Sequence, residues 1–230
     1  MSMLENLYIK PERKNYEKLI NLIRTEKKLR ILDVGCGDGN NTRKIFKYCP
    51  NAKIYGIDFD SNILKKASKN RIITAKVDLE NERFPFNDNH FDIVISNMVI
   101  EHVDDLDFFI SEQRRILKRN GRIIISTNNA SSWHNIFALI LGWMPFDLTN
   151  ITKHRGLGNP LSPHKEIMPL HSRGMMHKRV YTIRFVCEFL TKYGFGSVKS
   201  YGTGYAPLPW FLGRLDKTHS QFIIVSGVKR

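Results

Sequence analysis

Two aspartates and three glycines carry the first suggestion of chemistry in this chain. In "LRILDVGCGDGN" a short apolar run holds Asp33 and passes straight into Gly35, Gly37 and Gly39. Glycines at the end of a strand let a ligand approach the backbone amides that open a helix. The dinucleotide pattern G-x-G-x-x-G would put its third glycine where this chain has Asn40. Asp33 lies two residues before the first glycine, where it repels a pyrophosphate and attracts a cationic amino group or sulfonium. A P-loop is excluded as well, because no G-K-[S/T] follows. About 20 residues further on, Asp58 ends the strand-like run "AKIYGID", a position from which a carboxylate can accept both hydroxyls of a ribose. The competing role, a helix cap, is already suited to Asp60 and Ser61.

Proton-transfer groups come next. A group transfer between two bound molecules needs alignment first, and an oxygen or nitrogen acceptor also needs a base near pH 7. Histidine suits that task. His102 lies just past a fourth strand-like run, at the edge where doubly wound sheets place their substrates. Its plainer role is to open a helix and brace a loop together with Glu101. His177, ahead of the amphipathic stretch "TIRFVCEFLTKYGF", is the second candidate. His134, His154, His164 and His171 read as polar loop residues.

These groups need a frame. The first 129 residues alternate strand and helix signals, the pattern of a parallel sheet covered on both faces. "LRILDV", "AKIYGID", "RIITAKVD", "HFDIVISN" and "RIIISTN" are the strands. "NNTRKIFKYC", "DSNILKKASKN" and "LDFFISEQRRILKRNG" are helices, the last ending at Gly121. Residues 129–178 break the rhythm with Pro145, Pro160, Pro163 and Pro169, and read as an inserted lid that binds substrate. Within it "IFALILGWMPF" is about half the length a bilayer requires and reads as a core or lid helix. The amphipathic helix and two more strands, "GSVKSYG" and "SQFIIVSGV", close the chain.

The bulk numbers agree with a single domain over residues 1–230. A chain of this length buries roughly 70% of its unfolded surface and needs no disulfide or metal to be stable. Cys36, Cys49 and Cys187 are odd in number and too scattered for a metal site, which points to a reducing, cytoplasmic setting. The charged N-terminus does not read as a signal peptide. The net charge is +14, and between Asn150 and Arg184 seven Lys and Arg face one acid, Glu166. That imbalance favours an anionic partner.

"LDVGCGDG", "YGIDFD", "KVDLENERFPF", "FDIVISNMVIEHV" and "ILKRNGRIIIST", in this order, resemble the motifs of class I S-adenosylmethionine (SAM) dependent methyltransferases of the small-molecule type. The resemblance covers residues 30–128 and implies a Rossmann-like doubly wound α/β fold. Its sheet would have seven strands, the last antiparallel, with the lid inserted after the fifth. It implies SAM as cofactor and S-adenosylhomocysteine as product. Asp33, Gly35 and Gly37 would hold the methionine moiety, and Asp58 the ribose, with Phe59 beside it. Asp78 and the Leu79 amide would meet the adenine, and Asn97 and Met98 would line the floor. Arg119 and Asn120 depart from the Pro-Gly usual in the fifth motif, which should alter the turn and spare activity. The expected acceptor is a small anionic saccharide, lipid-linked molecule or other metabolite, and peripheral membrane contact fits the basic lid.

Two other readings stand beside it. The E-H pair also resembles small-RNA 2′-O-methyltransferases, which would make Glu101, His102 and His177 metal ligands. Against that, Met98 occupies their upstream acidic position and cannot ligate a hard cation, and the lid lacks aromatics interleaved for base stacking. The other is a non-catalytic SAM-binding protein, against which the intact cofactor motifs argue.

Overall fold

The fold is described from a computed structural model, over residues 10–152, 154–164, 176–209, 212 and 215–230. In chain order the elements begin with helix α1 (Lys10–Asn21), strand β1 (Arg30–Val34), helix α2 (Ile45–Tyr48) and strand β2 (Lys53–Asp58). Helix α3 (Ser61–Ser68), strand β3 (Ile73–Lys76), strand β4 (Phe91–Asn97), helix α4 (Leu106–Ile116) and strand β5 (Leu117–Asn128) follow. Helix α5 (Trp133–Ile140), helix α6 (Ile183–Lys192), strand β6 (Phe195–Thr203) and strand β7 (Phe222–Lys229) complete the set.

The seven strands form one sheet in the order β3-β2-β1-β4-β5-β7-β6. β1 pairs in parallel with β2 and β4, and β7 runs antiparallel to both β5 and β6. This is the Rossmann-like topology expected above. Alternation along each strand divides the core between the two faces. Leu32 and Val34 pack with Val94, Phe109, Ile116 and Val186 on one side, whereas Ile31 packs with Leu19, Ile45, Ile95 and Ile124 on the other. The chain leaves β1 in one direction and β4 in the other, so a crevice opens beyond their carboxyl ends.

Local chemistry fixes the boundaries. Asp60 caps α3, accepting from the Asn62 and Ile63 amides, as its type foretold. Asp105 caps α4 and Thr182 caps α6 in the same way. Gly194, at φ +76°, follows α6 in the left-handed conformation that ends helices.

Two expectations need correction, and one element was not anticipated. The helix read through to Gly121 stops at Ile116. Leu117 is fully buried and pairs with Phe91, and the next ladder partners are Ile93 and Arg122. Residues 118–121 therefore bulge outward, with Asn120 at φ 62°, a conformation asparagine tolerates. "NNTRKIFKYC" is a single 3₁₀ turn, Thr42–Lys44, followed by the short α2, because Pro50 stops it. The N-terminal stretch, weighed above only as a leader, contains α1, whose Tyr16, Leu19 and Ile20 cover one face of the sheet.

Candidate active site

The glycine loop and the tip of β2 meet in the crevice. Gly35, Gly37 and Gly39 all have positive φ, at 72°, 54° and 75°. A Cβ on Gly35 would sit 2.5 Å from Val99, whereas one on Gly37 would meet nothing within 4 Å. Gly35 is thus demanded by packing, and Gly37 faces open space where a ligand can touch backbone. Asp58 braces the loop: one carboxylate oxygen accepts from the Gly37 amide at 3.0 Å and the other from the Asp60 amide at 3.2 Å. Each oxygen keeps a further lone pair for a ligand hydroxyl.

Asp33 is buried at the end of β1, and Thr42 Oγ1 donates to it at 2.6 Å. Burial raises its pKa to about 7, although the Thr42 bond pulls the other way and the Asp58 charge adds to the rise. Nearby, the Tyr16 hydroxyl and Asn97 Oδ1 are buried without a hydrogen-bond partner. A starved carboxylate, an idle hydroxyl and an idle carbonyl suit the charged amino-acid end of SAM. Asp78 is half-buried; its oxygens accept from the Glu80 amide and the Asn81 side chain. Phe59, half-exposed, follows the tip of β2, and Met98, partly exposed and at φ 56°, follows the tip of β4. The sequence reading did not single out Tyr16, which lies on α1.

The two histidines also come together. The rings of His102 and His177 are 5.0 Å apart, centre to centre. His102 Nδ1 lies 2.9 Å from the Met176 carbonyl and His177 Nδ1 lies 2.6 Å from the Asp147 carbonyl. A carbonyl only accepts, so each Nδ1 carries a hydrogen and Nε2 is the nitrogen left to meet a substrate. Desolvation holds His102 below the ordinary imidazole range, against the opposing pull of Glu101. It is therefore a neutral base at pH 7.

Glu101 is buried between them. Thr127 donates to one oxygen at 2.8 Å, while the other has no partner. Its backbone carbonyl accepts from the Lys178 amide at 2.8 Å, which straps residues 176–179 across the site. One potential ligand atom from each of Glu101, His102 and His177 lies within 4.8 Å of the other two. That spacing is within reach of a divalent cation with His and carboxylate ligands.

The other histidines divide. His134, expected in a loop, is buried on α5 with Nε2 3.3 Å from Asp147. His154 is exposed, as read from sequence. His164 was passed over, yet its ring lies 6.1 Å from that of His177. Desolvation lowers it to about 4, so it too is neutral. His171 lies outside the described residues.

Residues 32–125 match the family described as "Methyltransferase domain". That match, together with the fold, supports a class I SAM-dependent methyltransferase domain. It is 30% identical over 135 residues to the ubiquinone biosynthesis O-methyltransferase of Pelagibacter ubique, covering 52% of each chain. Against the malonyl-[acyl-carrier protein] O-methyltransferase of Herminiimonas arsenicoxydans it is 25% identical over 188 residues, 80% of this chain and 68% of that one. For most such relatives the chain spans about half their length or less. The fold matches a SAM-dependent methyltransferase from Mesorhizobium loti, with a TM-score of 0.61, 17% identity, and coverage of 95% and 98%. It also matches phosphoethanolamine N-methyltransferase 2 of Haemonchus contortus bound to SAM, with a TM-score of 0.61, 16% identity, and coverage of 94% and 52%.

The Asp58→Ala substitution removes one or two charge-assisted hydrogen bonds and should weaken SAM binding by about 2–4 kcal/mol. Calorimetry checks this, and unchanged affinity would remove Asp58 from the ribose site.

Proposed function

We propose that this domain moves the SAM methyl group to an oxygen or nitrogen of a small anionic acceptor, a saccharide, a lipid-linked molecule or another metabolite. Bound SAM supplies an electrophilic methyl group on a sulfonium. The acceptor lone pair forms the new bond to that carbon while the carbon–sulfur bond breaks, its electrons passing to sulfur. The acceptor proton goes to Nε2 of His102 or His177, the nitrogen that the Met176 or Asp147 carbonyl leaves free. That pair of imidazoles, each held at Nδ1 by a backbone carbonyl beside the crevice, is the observation that carries this reading.

Arg155 supports an anionic acceptor. Its Nε and Nη2 are buried without a hydrogen-bond partner, and its charge is felt at His164. A guanidinium desolvated without a counter-charge favours an anion. The relatives fit as far as their names go: two are O-methyltransferases and one structural neighbour is an N-methyltransferase.

The Glu101–His102–His177 cluster favours a second reading, in which a divalent cation polarises an acceptor hydroxyl such as that of an RNA 3′ end. Methyl-labelled SAM, incubated with protein and a host extract resolved into RNA, lipid and water-soluble fractions, separates the two. Label in the lipid or soluble fraction, indifferent to a chelator, is expected. Label in RNA that a chelator abolishes would replace the first reading with the second.

A depressed His102 pKa also sets a pH profile. With the acceptor so found, kcat/KM should rise with pH through a value below about 6.5 and stay level to about 8. The His102→Ala variant should lose about a hundredfold in kcat and that limb of the profile. If the limb persists, the base is elsewhere.

A further inference from the structure

The edge of the sheet opposite the crevice carries a second concentration of charge. Asp88 and Asn89 precede β4, Arg114 and Arg115 close α4 just before β5, and Lys229 ends β7, which runs antiparallel to β5. They meet Lys192 and Gly194, at the turn between α6 and β6, around a cleft of about 540 Å³. The 11 residues of α4, about 16 Å of helix, separate this cleft from the His102 loop. It is therefore distinct from the site described above, and its size suits a small molecule.

Its charges do not cancel. Arg114, Arg115, Lys192 and Lys229 line it against one acid, Asp88. Arg115 takes that acid at 2.7 Å and Glu112 at 2.7 Å, and Arg83 shares Asp88 at 3.4 Å. Among the described residues, Arg114, Lys192 and Lys229 have no carboxylate within salt-bridge distance. Lys229 gives its protons to uncharged oxygens, the Leu117 carbonyl at 2.6 Å and Asn89 Oδ1 at 3.0 Å. Desolvation lowers its pKa first and the charge of Arg114 next, against a smaller pull from Asp88. Arg114 is more starved still, because its Nε is buried with no hydrogen-bond partner. A Cβ on Gly194 would come within 3.1 Å of that Nε and of Nη2, so the bare glycine lets the guanidinium pack into the wall. A desolvated guanidinium beside an ammonium, with no counter-charge, is stabilised by an anion.

The number and kind of donors select which anion. A monocarboxylate balances one of the three open charges, whereas a phosphoryl group brings about two charges and three acceptor oxygens. Guanidinium N–H groups match phosphate geometry and lysines act as point charges, with the Ser111 hydroxyl at the same cleft. We infer that this cleft binds a phosphoryl group, as inorganic phosphate or a small phosphate monoester, at a site apart from the methyl-transfer crevice. Arg114 is its central ligand and the exposed Lys192 its rim charge.

Amide NMR spectra of the protein, titrated with inorganic phosphate and separately with glycerol 3-phosphate, read this site without turnover. Saturable shifts should appear at Asn89, Tyr193 and Gly194, and not at residues 154–164, where Arg155 offers a competing anion site. Arg114→Gln should weaken phosphate binding about tenfold and Lys192→Gln about threefold. Neither removes a salt bridge, so thermal stability and SAM affinity should stay unchanged. Tighter binding of the ester assigns the cleft to a phosphorylated metabolite, and tighter binding of inorganic phosphate assigns it to the free ion. Shifts confined to residues 154–164, or no saturation into the millimolar range, would overturn the inference. So would undiminished affinity in both variants, or acetate binding as tightly as phosphate.

Discussion

A carboxylate forced out of water at the end of β1 is the constraint on which the rest of this site depends. Asp33 must sit where it does because β1 is paired on both sides and its neighbours in sequence fill both layers of the core. With Thr42 as its one described donor, its charge is poorly compensated, and its pKa climbs to about 7. Desolvating a carboxylate costs several kcal/mol unless a counter-charge arrives. The loop that follows cannot supply one, since it presents glycine amides and Asp58. A cationic ligand can. The same geometry that makes Asp33 uncomfortable is what, on the proposed reading, would select a sulfonium or ammonium over a phosphate.

Glu101 plays the corresponding part on the acceptor side. It is buried, accepts from Thr127 on β5, and through its backbone carbonyl receives Lys178. That contact carries the strap on which Met176 and His177 ride, and Met176 in turn fixes the His102 ring. The His102 ring, the strap and the sheet edge are therefore coupled through one residue. Asp147 does the same from the other side: burial works against its charge, but His134 and Asn135 outweigh it and hold its pKa low, while its carbonyl orients His177.

Much of this was legible in the sequence, and for identifiable reasons. The strands of the first half are short apolar runs bounded by glycine and aspartate, and such runs fix their own alternation across two layers. Asp33, Gly35, Gly37 and Asp58 sit at fixed distances from strand ends, so their meeting in the crevice follows from topology alone. His102 was placed by the same logic. The bulge at residues 118–121 was not legible, because Ile116 and Leu117 satisfy a helical face as well as a strand. Neither was the partnership of His134 with Asp147, nor the approach of His164 to His177. Those contacts lie in a segment whose chain path is set by individual side-chain bonds and not by periodicity. Tyr16 was hidden for a different reason: an aromatic at helical spacing reads as core until its hydroxyl is seen to lack a partner.

Titration calorimetry of SAM binding near neutral pH, in buffers of differing ionisation enthalpy, tests the role of Asp33 most directly. In the free protein Asp33 is substantially protonated near its raised pKa, and a cation bound beside it lowers that pKa. Binding should therefore release a fraction of a proton and tighten as pH rises through about 7. In Asp33→Asn that release should vanish and affinity should fall. If the variant binds SAM as tightly as the parent and releases the same fraction of a proton, the buried carboxylate is not what selects the ligand.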